Sequence, residues 1–342
     1  MWFLVIPPDG AARAVALACA ASFSEQLPGN VVAFDTKRYG EAWSEQLRRP
    51  DANLVTDALN QSLAVQCLDS GAQYLCVFAL APVTLFTLNL LRRQGVTTVH
   101  WFFEDWRSSP YWKSVVEGYD LFLAVQRGKV EQTCREKEVR FALIPTAASV
   151  PAPPSSRPNE KPRVDVAFVG IPSAYRIDML DTLAASGHTL AIGGQGWSAY
   201  RGPLRPSVVS GDWVDATGCA AMLRSACVGL NLSADDPSSS RAETHLSPRV
   251  FDVLGQGTAL LTEDVPLAQE ILAGYTYEVF EGKRDVALKV REVSGRLSRQ
   301  ELEANAKSVR DRDTYAARVK KIRELAEGAR ATTALRGTRM GC

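Results

Sequence analysis

Five of the twelve residues from Pro151 to Pro162 are proline. Proline lacks a backbone N–H and fixes φ, so neither a sheet interior nor a helix runs through such a stretch. It reads as a semi-rigid spacer. A chain of 342 residues is long enough for about two domains, and this is where it divides. The reading is a first domain over 1–150, a linker over 151–162 and a second domain over 163–310. A closing helix over 311–330 packs back on the first domain, and a flexible tail covers 331–342.

Both sides of the linker repeat one pattern. In the first half, apolar strand-like runs occur at Trp2–Ile6, Val31–Asp35, Tyr74–Leu80, Thr97–Phe103, Asp120–Val125 and Phe141–Pro145. Helical stretches separate them, at about Ala11–Gln26 and Val55–Ser70, the second with Val55, Leu59, Leu63 and Cys67 on one stripe. The residues after Asp35 read as a polar insert. In the second half the strands are Val164–Val169, Thr189–Ile192, Val208–Val214, Val228–Leu232 and Thr258–Leu261. Helices are read at Tyr175–Ala185, up to about Ser225, at Pro248–Gly255 and at about Asp313–Ala326. Strands apolar on both faces and separated by helices predict parallel, doubly wound sheets. The fold class is therefore α/β, with two such domains facing across a cleft. Open parallel sheets bind ligands beyond the carboxyl ends of their strands, so each domain offers one site.

The totals exclude several classes. Lys and Arg number 39 against 38 Asp and Glu, a formal net charge of +1. A nucleic-acid binder needs a basic excess to neutralise phosphates, so none is expected here. The seven cysteines follow no C-x-x-C spacing, and most lie in apolar runs such as Tyr74–Phe78. They read as reduced core thiols, which fits the cytoplasm. No segment reaches the roughly 18 apolar residues of a membrane span, and Met1–Pro8 lacks a signal-peptide n-region. His100, His188 and His245 are scattered, and Asp235-Asp236 before Pro237 reads as a solvated turn. No metal is expected.

Three stretches of the second half can carry chemistry. Val169-Gly170-Ile171-Pro172-Ser173 leads from a strand into a helix bearing Arg176. Glycine allows close backbone approach and arginine pairs bidentately with phosphate; a plain strand–turn–helix junction is the alternative. Gly193-Gly194-Gln195-Gly196-Trp197 marks a tight turn or a backbone that touches something, with Trp197 as a hydrophobic plug in the simpler reading. In His245-Leu246-Ser247-Pro248-Arg249-Val250-Phe251-Asp252, Ser247 is a plausible N-cap and Pro248 opens a helix. Arg249 and Asp252 share a face of its first turn. They suit a diphosphate and a ribose diol, or form an internal ion pair.

The run H-L-S-P-R-V-F-D-V-L-G-Q-G-T-A-L-L-T-E-D (His245–Asp264) resembles the donor-site signature of GT-B glycosyltransferases. It is most similar to the CgeB-like, spore-maturation-protein branch of the group 1 type. Supporting pieces are V-D-V-A-F-V-G with Arg176, G-G-Q-G-W, the segment Gly211–Val214, and Val228–Leu232. Asp313–Arg318, D-T-Y-A-A-R, resembles that branch's closing H-T-Y-x-x-R, with Asp in the His position. The likeness spans about Val164 to Arg323. It implies two Rossmann-like domains and transfer of a sugar from a nucleotide-diphosphate donor, with no further cofactor. Gly170 and Arg176 would contact the diphosphate, Val214 the base, Ser247 and Arg249 phosphate oxygens, and Asp252 the ribose. Gly194, Trp197 and His245 join that donor set. The group 1 pattern E-x7-E would put Glu at 244, where this chain has Thr244, with Glu243 one residue out of phase. No stereochemical expectation follows. The acceptor can be a saccharide, a protein or a small molecule. A nucleotide-sugar epimerase and a non-catalytic nucleotide-sugar binder share the architecture.

In the first half, acids stand at strand ends. Asp105 and Glu104 follow the aromatic run His100–Phe103, and aromatic faces stack on sugars while a carboxylate takes the acceptor's proton. Asp105 is the expected base, ahead of Glu104. Asp9, in Ile6-Pro7-Pro8-Asp9-Gly10, is the competitor, for which N-capping is a sufficient explanation.

Overall fold

A computed structural model describes residues 1–149, 163–237 and 245–339, with residues 332–339 as helical backbone only. The expected linker and the Thr244 and Glu243 positions lie outside the described residues. The chain forms two compact units, Met1–Pro145 with Tyr315–Cys342, and Thr146–Thr314.

In the first unit the order is β1 (Trp2–Ile6), α1 (Gly10–Gln26), β2 (Val31–Asp35), α2 (Thr36–Gln46), α3 (Ala52–Asp69) and β3 (Tyr74–Phe78). Then come α4 (Leu85–Arg93), β4 (Thr97–Phe102), α5 (Trp112–Val115), β5 (Leu121–Ala124), α6 (Lys129–Glu136) and β6 (Arg140–Leu143). The strands lie in the order β2-β1-β3-β4-β5-β6, and every pair is parallel. β1 and β4 are buried along their whole length, as apolar runs between two helical layers must be.

The second unit runs β7 (Val164–Val169), α7 (Ala174–Ala185), β8 (Leu190–Gly193), β9 (Val208–Ser210), α8 (Ala216–Arg224) and β10 (Ala226–Asn231). It continues with α9 (Arg249–Gly255), β11 (Ala259–Glu263), α10 (Pro266–Ile271), β12 (Glu278–Phe280), α11 (Lys283–Arg296) and α12 (Arg299–Arg312). Its sheet, again all parallel, is ordered β12-β11-β10-β7-β8-β9. The expectation of two doubly wound α/β units holds.

Several elements differ from the sequence reading. The polar insert is the helix α2, which Asp35 caps by accepting from Lys37 N and Arg38 N. Polar bonds tie it to α3: Tyr39 Oη to Gln66 Oε1 at 2.9 Å and Trp43 Nε1 to Ser62 Oγ at 3.1 Å. Its stripe is only two aromatics, Tyr39 and Trp43 one turn apart, with Tyr39 stacked on Phe34 at 4.2 Å, and is too short to read as a helical period. The strand expected over Val208–Val214 stops at Ser210, where Gly211 O turns to accept from Ser198 N. The sequence pattern names neither α11 nor α12, and Ser298 and Glu301 cap α12 reciprocally.

The last helix, α13 (Tyr315–Arg339), belongs to the first unit, where it packs on α1. Tyr315, Val319, Ile322, Ala326 and Ala329 are buried there. Arg318 Nε donates to Pro145 O at 2.8 Å and Gln26 Nε2 to Ala316 O at 2.8 Å. The helical backbone continues to Arg339, through most of the tail expected over 331–342.

Candidate functional site

In the second sheet the connection order reverses between β10 and β7, since β7 leads to β8 on one side and β10 pairs β11 on the other. The carboxyl ends flanking such a reversal form the natural crevice. Gly170 follows β7 there, and Leu232-Ser233-Ala234 follows β10. Ser173 caps α7 through Arg176 N at 3.2 Å and donates its hydroxyl to Ala234 O at 2.6 Å. Arg176 donates to Leu232 O at 2.9 Å, Ser233 O at 3.0 Å and Ile171 O at 3.0 Å. The guanidinium thus clamps both loop ends, and burial draws its pKa below the ordinary value. That clamp is a second task beside the diphosphate contact the resemblance implies.

Glu263, at the end of β11, completes the clamp. Its oxygens accept from Ser233 N at 2.9 Å and from Ser233 Oγ at 2.8 Å. Burial holds its carboxyl above the usual range against those bonds. Sequence reasoning missed Glu263, although an acid ending an apolar strand at the switch of a doubly wound sheet is a readable signal.

The glycine-rich segment resolves toward its simpler reading. Gly194 has φ +141°, and a Cβ there would stand 2.3 Å from Gly170 O. The close approach is therefore to backbone. Trp197 is 0% exposed and donates its indole N–H to Gly170 O at 2.8 Å. It corrects the expectation of a ligand contact: a fully buried ring offers no face. Val214 is half-buried, while its neighbour Trp213 is exposed.

On α9, Ser247 Oγ accepts from Arg249 N at 3.3 Å, but this corrects the expected cap: the N-cap position falls to Pro248, with no side-chain cap bond, and the helix opens at Arg249, one residue later than expected. Arg249 Nη1 donates to Asp252 Oδ2 at 2.5 Å and to Cys219 Sγ at 3.2 Å. Burial pushes the Cys219 thiol up to about 11, so it accepts as a neutral group. Asp252 is 3% exposed, and its Oδ1 accepts from Ser149 N at 2.7 Å. The internal ion pair is thus present, with Arg249 partly exposed on its outer side. His245 is half-buried at the entry to this segment.

In the first unit the reversal falls between β1 and β3. Asp9 follows β1, and Glu104-Asp105 follow β4; with β3 between, those strands lie roughly 10 Å apart. Asp105 is engaged by Arg107, through N at 2.9 Å, Nε at 3.0 Å and Nη2 at 2.5 Å. The guanidinium covers the oxygens that a proton would reach. Glu104 is half-buried beside it. Asp9 corrects the capping explanation: it stands at the N-cap of α1 but makes no side-chain cap bond. Its carboxylate is 76% exposed and meets Lys37 Nζ at 3.4 Å. Nearby, the buried Trp106 indole N–H has no hydrogen-bond partner among the described residues. Arg13 and Asp35, paired at 2.7 Å, hold the β1 turn, Arg13 also bonding Pro7 O at 3.2 Å.

Among the described residues no group of three or more His, Cys, Asp or Glu could hold a metal ion. None of the helices among them is long and apolar enough to cross a membrane.

Comparison with known proteins meets this geometry. Residues 176–324 match the family model described as glycosyl transferase-like. That stretch contains Arg176, Trp197, Val214, Ser247, Arg249, Asp252 and Glu263. Solved structures similar over nearly the whole chain include a sucrose-phosphate synthase from Thermosynechococcus elongatus (12% identity, TM-score 0.66, 97% of this chain and 99% of that one). A glycosyltransferase from Rickettsia africae shares 11% identity at a TM-score of 0.65, covering 96% of this chain and 98% of that one. The lipopolysaccharide outer core galactosyltransferase WaaB shares 14% at 0.63, covering 95% and 99%. At such identities the likeness speaks for the fold, which is GT-B. The family match makes the chain similar to group 1 glycosyltransferases. No curated protein matches its sequence.

Proposed function

We propose that this protein transfers a sugar from a nucleoside-diphosphate donor, held by the second unit, to an acceptor hydroxyl met by the first. The observation that carries the reading is Arg249 with Asp252 on the first turn of α9, inside the residues that match the glycosyl transferase-like family. Arg249 keeps an exposed side from which to pair with phosphate oxygens, which favours departure of the diphosphate without a metal. Asp252 accepts from the ribose, and the exposed Trp213 beside Val214 offers the base an aromatic face.

On the acceptor side Asp9 is the better proton acceptor. Its carboxylate is exposed and only loosely paired, whereas Asp105 is enclosed by Arg107. Asp105 then shapes the loop that carries Trp106, whose unpaired N–H suits an oxygen of the acceptor. The CgeB-like branch and a cytoplasmic setting, consistent with the free cysteines, belong to the same reading.

The test is a melting panel with UDP, GDP, CDP, dTDP and their sugars, followed by acceptor-dependent release of the diphosphate in excess EDTA. A donor that binds the folded chain raises its melting temperature by linkage. If no nucleotide shifts the transition, the donor reading fails. If turnover stops in EDTA and returns with Mn²⁺ or Mg²⁺, the metal-independent part fails.

A further inference from the structure

The closing D-T-Y-A-A-R segment finds no use in the chemistry above, yet its first residue is tied into the donor side. Asp313 is the C-cap of α12, its N–H donating to Val309 O at 2.9 Å. Its side chain is buried and accepts from Tyr275 Oη. Arg312 steadies that ring from outside, its guanidinium 4.4 Å from the centroid. The Asp313 carbonyl accepts from Ala148 N at 3.0 Å. The next residue, Ser149, donates its N–H to Asp252 Oδ1 at 2.7 Å. Arg249 holds the other oxygen, Oδ2, at 2.5 Å.

A carboxylate accepts about four hydrogen bonds. Ser149 N and Arg249 take one each and fix the plane of the Asp252 carboxylate. The Ser149 hydroxyl makes the third contact, at 3.5 Å from Oδ2, the longest of the three. Ser149 itself is exposed, so the buried Asp252 carboxylate lies against a residue that solvent reaches. The Asp313 carbonyl that holds residue 148 is main chain and survives substitution. What the buried side chain adds, through Tyr275, is a fixed place for that carbonyl, and without it the 148–149 turn that orients the Asp252 carboxylate loosens.

We propose that Asp313, held by Tyr275, is a positioning residue for Asp252 and thereby sets the preference of the site for a ribonucleotide over a 2′-deoxyribonucleotide. This rests on the reading of Asp252 as the ribose contact.

The experiment measures dissociation constants of UDP, GDP, CDP and ADP, each beside its 2′-deoxy counterpart, on the full chain by calorimetry. A hydrogen bond to a charged group predicts a ribo preference of roughly tenfold to a hundredfold for the tightest binder. Asp252→Asn should bring it near one. Asp313→Ala should shrink it to within about threefold, chiefly by weakening the ribonucleotide, while 2′-deoxy affinity holds. Asp313→Asn keeps an acceptor for Tyr275 Oη and should restore most of the preference. Tyr275→Phe gives an independent variant should Asp313→Ala fold poorly, and should move the ratio the same way. Equal weakening of both nucleotides, or an unchanged ratio in both Asp313→Ala and Tyr275→Phe, overturns the positioning role. A preference that Asp252→Asn leaves intact removes the ribose contact instead, and no binding of any diphosphate removes the donor reading itself.

Discussion

The first unit closes the carboxyl end of its sheet with pairs of side chains, Arg13 with Asp35, Arg107 with Asp105 and Lys37 with Asp9. The second closes the same end through main chain: Arg176 on three carbonyls, Ser173 on Ala234 O, Trp197 on Gly170 O and Glu263 on Ser233 N. The exposed Lys37–Asp9 pair contributes about 0–1 kcal/mol and exchanges partners readily, while the multidentate Arg13–Asp35 and Arg107–Asp105 pairs are partly buried and hold more firmly. A buried main-chain group that loses its partner costs about 1–3 kcal/mol. The first end is therefore adaptable at Asp9, and the second is preorganised throughout. Under the proposed function, that difference suits a unit that meets the acceptor and a unit that holds the donor.

The largest test of the comparison is to remove what the first unit borrows. Ending the chain at Thr314 takes away the buried Tyr315, Val319, Ile322, Ala326 and Ala329. At about 1.5–3 kcal/mol for each large side chain, the loss is roughly 8 kcal/mol, comparable to the whole stability of a domain. Hydrogen exchange should then show residues 1–145 unprotected. Retained protection there would mean that α13 is dispensable. Next in size is the acid at the adaptable end. Asp9→Asn should lower turnover about 10²–10⁴-fold with donor affinity unchanged, as loss of a general base does. Asp105→Asn should cost less than tenfold. The reverse ranking returns the base to Asp105.

The asymmetry between the units also explains what was legible in sequence. Apolar strands and helices recur in both halves, so the doubly wound class was readable from period alone. The Arg249–Asp252 pair was readable because the two residues are three apart and share the first turn of α9, with Ser247 just before it. The clamp was not, because Arg176, Ser233 and Glu263 meet only when β7, β10 and β11 pair in a non-sequential order. The surroundings of the first unit's acids were hidden for the same kind of reason. Arg107 stands two residues from Asp105, and nothing in sequence says that its side chain folds back. Asp9 has the residue type and position of a cap, and only the geometry shows that it makes no cap bond.

The preorganised end is tested at Arg249. Arg249→Ala should weaken binding of the best nucleotide by about 1.5–3 kcal/mol, the worth of a hydrogen bond to a charged group, while the fold survives. It also leaves Asp252 buried without its ion-pair partner, so Arg249→Lys is the control that keeps a charge. If calorimetry finds nucleotide affinity unchanged in Arg249→Ala, the residue serves the helix and not the diphosphate.

The smallest effect separates the units by pH. His100, fully buried in β4, lies with Nδ1 2.8 Å from Val77 O, so that nitrogen carries the proton. Nε2 is left to accept from Tyr111 Oη at 3.3 Å. Burial drives its pKa from 6.5 down to about 3. Between those values the unfolded chain binds a proton that the folded chain refuses. The first unit should therefore lose up to about 1.4 kcal/mol per pH unit on acidification below pH 6.5, or ~2 kcal/mol by pH 5. The second unit has the opposite or later response. Glu263 has a raised pKa, so protonating it favours the folded state. Asp165, held below its ordinary 3.8 chiefly by the Thr189 N–H, withdraws its contribution only as pH falls under that value. Exchange at pH 6.5 and pH 5 should thus show protection falling over residues 1–145 and holding over 163–314. His100→Gln should remove most of the fall in the first unit whatever its cost at neutral pH. If protection falls equally in both units, or if His100→Gln keeps the slope, the acid sensitivity belongs to another group and the contrast between the two cores fails.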